Sequence, residues 1–471
     1  MPTLRYFRNE GINTFINPLL QDDGVLVHSV NYQSDPFGAK VKRSGYSSFL
    51  GTAEGSTVTG LFSWTKNDGS LFLYRTSGSS LYHSVSGTGA WTLSGNGTIN
   101  SGGNVGYAVL DDTLILGDGV GSTRHTTNGT SFTDTTLAPV ARYFSQYQNR
   151  IYAGGTSSTL FYSTTGNAAD WNLAGTSDSS SLSIPGAGTI NSVFVAADRV
   201  ISSKTSGIMY KWDGYSLLDV ATTKGPTAPN SIDVAEGYYL YLNRDGITGF
   251  GGVRPEILSN PIQSQFYNNL GSGVAGGTFS TASGGIHRWD YYLSVGTITD
   301  GITEKQLDNN VIKYDFLKNE FLNYKFAHFP NSYHSYVDAN GDLQMIFGSS
   351  GGQVYKTSLT DRTDAGEPIE AEMVFFIYGG SPEINKKWNE INLFFNPGCE
   401  ARVSIAPSNH MNMNRLIWKE LGDVSDGVVH YRFPQNTRSK LLYVRIYDNS
   451  LDAPFKYYGM TVDAEKAGEA S

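Results

Sequence analysis

A strand–turn–strand pattern returning roughly every 45 residues constrains this chain more than any other feature, and that period is the range of four-stranded propeller blades. Its clearest copy is Arg150–Asn172, RIYAGGTSSTLFYSTTGNAADWN. Arg150–Ala153 reads as a short apolar strand. Gly154, Gly155 and Thr156–Thr159 cannot extend it, because glycine and small hydroxyl residues favour turns. Leu160–Ser163 is aromatic and β-prone, and Gly166 and Asn167 break it again. No apolar stripe of helical period runs through the segment. A hairpin of this kind, alone in water, leaves one greasy face without a partner, so similar units must stack beside it.

Comparable stretches occupy Leu61–Leu93, Val105–Thr136, Arg142–Asn172, Ile190–Thr223, Ile232–Ile262, Ile286–Phe326 and Tyr336–Leu359. An aromatic third-strand landmark falls at Tyr82, near His125, at Tyr162 and Tyr210, near Val253, and at Tyr314 and Tyr355. Seven blades are predicted. Closing them into a ring covers each blade with its neighbours and leaves only short edges. A β-sandwich or an open array of hairpins is the other reading of the same pattern. In residues 1–59, Val25–Tyr32 and Ala39–Phe49 read as extended, with Ser34–Gly38 as the turn between them. The last unit is one strand short, and Ala39–Phe49 is expected to complete it.

Composition agrees with an all-β chain: 54 glycines, 29 tyrosines, 13% aromatic and only 16% charged residues. The formal charge of −9 argues against a basic nucleic-acid-gripping surface. It suits ordinary solubility, and equally a wall past which DNA slides without sticking. Cys399 is the single cysteine, so an intrachain disulfide and a cysteine-built zinc site are excluded. The first residues have no apolar core of signal-peptide length, and no run approaches a membrane span, so a soluble protein is expected.

At Thr360–Pro368 the composition turns charged and turn-rich, which marks a boundary. Longer strands are predicted beyond it, at Glu370–Tyr378, Trp388–Phe395, Ala401–Ala406, Val428–Phe433, Leu441–Tyr447 and Tyr457–Asp463. Several alternate apolar and polar residues, as sheets with one buried face do. The expected plan is therefore an N-terminal extended segment (1–59), a seven-bladed β-propeller (60–365), a jelly-roll-like β-sandwich (366–463) and a fraying tail (464–471).

No chemical motif gathers its full set of residues. Gly271–Gly276 matches the dinucleotide glycine pattern but lacks the strand and helix that would cradle a phosphate. Asp338-Ala339-Asn340-Gly341-Asp342 spaces oxygen ligands like a calcium loop, yet Ser349 stands where the bidentate glutamate belongs, so a hairpin turn is the simpler reading. The eight histidines, His28, His83, His125, His287, His328, His334, His410 and His430, form no close pair at metal-ligand spacing. No G-x-S-x-G elbow is present. Thr126–Phe132 and Ser163–Trp171 resemble the Asp-box turns of sialidase-type propellers, which staple blades away from the active site; here Asn128 replaces the aspartate. The tryptophans Trp64, Trp91, Trp171, Trp212, Trp289, Trp388 and Trp418 recur about once per unit, as packing between blades requires. No catalytic, cofactor-binding or metal-binding residue is assigned, and a non-enzymatic protein is expected.

Several motifs, taken in order, resemble bacteriophage tail propeller proteins. They are Val41–Tyr46, where Ser44 replaces a frequent proline, Asn149–Asn172, Tyr238–Ile262, His287–Val295, Asn309–Phe321 and Gly351–Leu359. The stretch from Lys387 to Asp463 is similar to the sandwich that ends those proteins. The nearest relatives by this resemblance are tail hub, or packaged-DNA-stabilisation, proteins and tail nozzle proteins of short-tailed phages. The resemblance implies a virion structural protein, made in the host bacterial cytoplasm. It implies a ring, commonly a hexamer, around the genome's exit channel, contacting adaptor, needle, fibre or spike proteins. It implies no catalytic residues. The glycine-rich stretches Gly249–Asn260 and Leu270–Gly285 are the candidate contact loops. A receptor- or carbohydrate-binding propeller of the tail tip, and a glycan-degrading enzyme, are the alternatives.

Overall fold

The computed structural model describes residues 4–6, 12, 25–51, 53–100, 104–174, 177–267, 279–299, 306–381, 383–410, 413–424, 427–451 and 455–467. Within them the chain is all-β apart from short helical turns, and it is propeller-like, because antiparallel meanders of four strands recur along it. The first meander comprises Val58–Thr65, Leu71–Ser77, Ser80–Val85 and Thr92–Thr98. Four more, at 106–134, 143–183, 190–221 and 228–257, are likewise separate four-stranded sheets. The sixth, 283–325, lies within a nine-stranded sheet, and the seventh, from 330 to 357, within a six-stranded one.

Local chemistry explains these meanders. The hairpins joining first and second strands of units three and four place Gln148 and Asn149, then Ala197 and Asp198, at φ between 46° and 57°. Positive φ at both central residues gives a turn whose twist matches the strands it joins. Second strands are buried on both faces, as in Leu71–Ser77, where all seven residues are buried. They therefore read as continuous runs rather than as alternation. Fourth strands are short and polar, such as Thr133–Asp134 and Glu256–Ile257, which blunts the outer edges.

Packing between units holds the array together. Phe62, Trp64 and Phe72 of unit one share a core with Leu114 and Phe132 of unit two. Trp171 of unit three packs with Ala108 and Ile115 of unit two. Val58 and Leu73 of unit one share a core with Tyr336 and Ile346 of unit seven, so the last unit meets the first. Close approach sets one glycine: a Cβ at Gly106 would lie 1.6 Å from the Arg142 carbonyl oxygen of the next unit. Burying each large side chain this way contributes roughly 1.5–3 kcal/mol.

The N-terminal segment is threaded through everything else. Val25–Val30 pairs antiparallel with Ala371–Ile377 and meets the last strand of unit six through Val30 and Asn323. Tyr32–Ser34 forms a hairpin with Lys40–Lys42, which in turn pairs with Lys456–Lys466. Tyr46–Ser48 then joins Val354–Thr357 as the fourth strand of unit seven. The expected completing strand, Ala39–Phe49, is therefore two strands serving two sheets, and Gly45 between them lies so close to Thr363 that a Cβ would sit 1.9 Å from its carbonyl oxygen.

Beyond residue 370, two sheets pack through one core. Met373, Phe375, Val403, Ile405, Val444 and Ile446 come from one, and Trp388, Ile391, Leu393, Tyr457, Met460 and Val462 from the other. The expected tail begins too early, since strand Lys456–Lys466 runs through Ala464 and pairs Lys466 with Lys386. Residues 468–471 lie outside the described residues.

Candidate functional site

Two recesses stand out among the described residues. The first is a cavity of about 280 Å³ bordered by the first strand of every unit, from Thr59–Leu61 in unit one to Ser332–His334 in unit seven. Its wall carries three ionisable groups besides tyrosine, namely Arg142, Asp233 and His334. Burial pushes the His334 imidazole down to about 4, and its Nε2 lies 2.8 Å from Ser63 Oγ, so at neutral pH it is uncharged. Asp233 accepts backbone hydrogen bonds from Val234 (2.8 Å) and Ile286 (2.6 Å). Enclosure nonetheless pushes its carboxyl up to about 6, outweighing those two bonds. Among the described residues of this wall, Asp233 is the one carboxylate.

The raised Asp233 carboxyl has a measurable sign. The native state keeps that proton up to about 6, whereas an unfolded aspartate releases it near 3.9. Over that window the native state binds more protons, so this group's contribution to stability falls as pH rises from about 4 to about 6. Thermal unfolding of wild type and Asp233→Asn across pH 4–7 is expected to show the smaller decline in the variant. Parallel profiles would contradict the assignment.

The second recess is a cleft of about 660 Å³ between units six and seven, floored by Tyr292, Tyr324 and Phe326. Two ion pairs brace it, one of them buried on both sides. Lys313 Nζ lies 2.8 Å from Asp290 Oδ2, and Arg43 binds Asp364 at 2.6 Å. Tyr324 donates its hydroxyl to Gln33 Oε1 at 3.0 Å. Burial raises the Asp290 carboxyl despite the pull of Lys313. His287 is pushed down to about 4 by burial and by neighbouring Arg288 and Lys313. Its Nδ1 is buried with no hydrogen-bond partner among the described residues.

No protein-family model and no curated protein matches this chain. Among solved structures, it resembles the computationally designed Ika8 protein at 12% identity, covering 67% of this chain and 99% of that one, with a TM-score of 0.41. YCF48 from Cyanidioschyzon merolae is also 12% identical, over 67% of this chain and 98% of that one, with a TM-score of 0.43. An extracellular domain, BT4673 from B. thetaiotaomicron, is 10% identical over 88% of this chain and 60% of its own, with a TM-score of 0.45. Likenesses this loose bear on neither chemistry nor partners.

The motifs singled out in the sequence take structural places. Asp338–Asp342 is the turn between the first two strands of unit seven: Asp338 Oδ1 accepts from the Asn340 and Asp342 amides at 2.9 and 3.1 Å. Asn128 Oδ1 accepts from the Thr130 and Ser131 amides, each at 3.0 Å, and Tyr74 of unit one bonds the Gly129 carbonyl at 2.9 Å. That turn staples units one and two with asparagine in place of aspartate. His83, His125, His328 and His430 bond Ser94, Thr135, Tyr46 and Asn392 respectively. Gly271–Gly276 lies outside the described residues.

Three expectations need correction. Gly249–Asn260 is not one long loop, because it includes the end of strand Gly246–Phe250 and the short strand Glu256–Ile257, with only Gly251–Pro255 turning between them. Of Leu270–Gly285, Ser283–Gly285 is strand and borders the central cavity. Trp289 departs from its packing role, being 41% exposed.

The turns after the third strands of units four, five and six carry Tyr215, Val253 and Leu317 at their tips, 95%, 82% and 72% exposed. These turns open at the same end of their units as the first hairpins. Asn67 bonding Asp112 (2.8 Å) and Tyr147 bonding the Asp198 carbonyl (2.6 Å) show neighbouring units presenting that end to one face.

Proposed function

We propose that this chain is a ring-forming structural protein of a bacteriophage tail, a hub or nozzle around the path of genome exit. In this reading the seven meanders close as a seven-bladed β-propeller and the two C-terminal sheets form a β-sandwich. The exposed apolar arc of Tyr215, Val253 and Leu317 on three successive units carries the proposal. Large apolar side chains held out in water cost solvation unless another surface covers them, and three on corresponding turns of successive units offer a repeated contact. An identical copy offers a repeated, self-consistent contact that closes into a ring. The ordered motifs shared with tail propellers support the same role, and the threaded N-terminal segment gives such a subunit rigidity under load.

Light scattering and negative-stain imaging of the full chain, alone and with an adaptor protein, test this. Rings are expected for wild type. The triple variant Tyr215→Ser, Val253→Ser, Leu317→Ser should lose them while its stability changes by no more than about 0.5 kcal/mol per site, as is usual for exposed positions. Strictly monomeric wild type under both conditions, or a triple variant that assembles normally, would defeat the proposal.

A further inference from the structure

We propose that the cleft between units six and seven binds a neutral oligosaccharide. Its volume of about 660 Å³ falls within the usual range for small-ligand sites. Two kinds of wall meet there. The floor is aromatic, with Tyr292 partly open above the buried Tyr324 and Phe326, and Leu343 and Leu359 stand 37% and 71% exposed. A sugar ring has C–H faces that pack on such surfaces. The remaining wall mixes both signs of charge with neutral amides and hydroxyls: Arg288 and Lys356 against Asp342 and Asp361, with Gln344 and Ser47 beside them. Hydroxyl groups both donate and accept, so a sugar satisfies every member of this set. A phosphate or carboxylate chain would meet the acids, and a basic peptide the cations. His287 lines the same wall.

The site is built rather than incidental. Lys313 and Arg43, both at most 5% exposed, hold Asp290 and Asp364 in place around the floor. Five separate stretches converge on it: the N-terminal segment, the first hairpin of unit six, the end of that unit's fourth strand, the first hairpin of unit seven and the exit from its third strand. The inference does not depend on ring formation, since all these residues belong to one chain.

Calorimetric titration of the full chain with glucose-, galactose- and rhamnose-based oligosaccharides tests it, with oligogalacturonate and a lysine-rich peptide as charged probes. Saturable binding to at least one neutral oligosaccharide is expected. Ser47→Trp, which fills the exposed cleft wall, and Lys356→Ala, which only trims it, should each weaken binding, the first by at least tenfold. Melting curves accompany both, so a misfolded Ser47→Trp leaves Lys356→Ala to decide. Tyr215→Ser should bind as wild type does. No binding across the neutral panel, binding confined to a charged probe, or affinity unchanged in the folded cleft variants would overturn the proposal. Assembly measured on the same samples separates failure of the cleft from failure of the ring.

Discussion

Arg43→Ala is expected to destabilise the protein by about 3–5 kcal/mol, the usual cost of leaving one member of a buried ion pair alone. Arg43 is 3% exposed, and every one of its five N–H donors is used. Nε bonds Asn31 Oδ1 at 2.8 Å, and the two terminal nitrogens take Asp364 Oδ1 at 2.8 Å and Oδ2 at 2.6 Å. They also bond the carbonyls of Ser44 (3.1 Å) and Lys325 (2.8 Å). The guanidinium carbon lies 4.5 Å from the centre of the Phe326 ring. One side chain thus ties together the N-terminal segment, unit six and the turn that precedes the C-terminal sheets. Lysine cannot reproduce this fork, so Arg43→Lys should recover only a minor part of the loss. Replacing the pair outright, as in Arg43→Met with Asp364→Leu, should not rescue stability either. It would take the Arg43 bond from the Lys325 carbonyl and leave the Ala327 N–H without the Asp364 Oδ2 that accepts it at 3.1 Å, although Asn31 Oδ1 keeps the Lys325 N–H at 2.8 Å. Each orphaned group costs about 1–3 kcal/mol. Chemical denaturation of the three variants checks the order; a stable double variant would show that packing, not this bond set, holds the junction.

How much of this was legible in the residues depends on how each element declares itself. Third strands carrying Tyr82, Tyr162, Tyr210, Tyr314 and Tyr355 were readable, because an aromatic in a short β-prone run between turns is a strong local signal. The fourth strand of unit three, Ser180–Ser183, was not: a serine-rich outer edge has no apolar pattern to reveal it. Strands Lys419–Asp423 and Arg438–Ser439 escaped notice for the same reason. The N-terminal segment shows the deeper limit. Its extended character is local, but its division among three sheets is fixed by partners hundreds of residues away, such as Glu320, Asp364 and Asp448. The cleft was invisible on the same grounds. His287, Lys356 and Ser47 look unrelated in sequence, and only closure of unit seven by Tyr46–Ser48 brings them to one wall.

Glu320→Gln should cost a comparable 3–5 kcal/mol, by a route that predicts the opposite outcome for the double replacement. Lys40 is fully buried, with Nζ 2.5 Å from Glu320 Oε1 and 2.7 Å from Ser34 Oγ. Burial pulls the Lys40 ammonium below its ordinary value; Glu320 resists that pull, and the nearby Lys318 adds to it. Removing the carboxylate's charge therefore leaves a buried cation with only neutral acceptors, such as Ser34 Oγ, to offset its lost hydration. Unlike Arg43, Lys40 binds no main-chain carbonyl through its side chain among the described contacts, and its two acceptors are themselves side chains. Lys40→Met combined with Glu320→Leu leaves only Ser34 Oγ to find a new partner, and that residue is not fully enclosed. Apolar replacement of such a pair is often neutral or stabilising by about 1–4 kcal/mol. The double variant should match or exceed wild type in thermal and denaturant unfolding, while each single variant falls well below it. If the double variant is as weak as the singles, the Lys40–Glu320 pair anchors the N-terminal hairpin by geometry rather than by compensating charge.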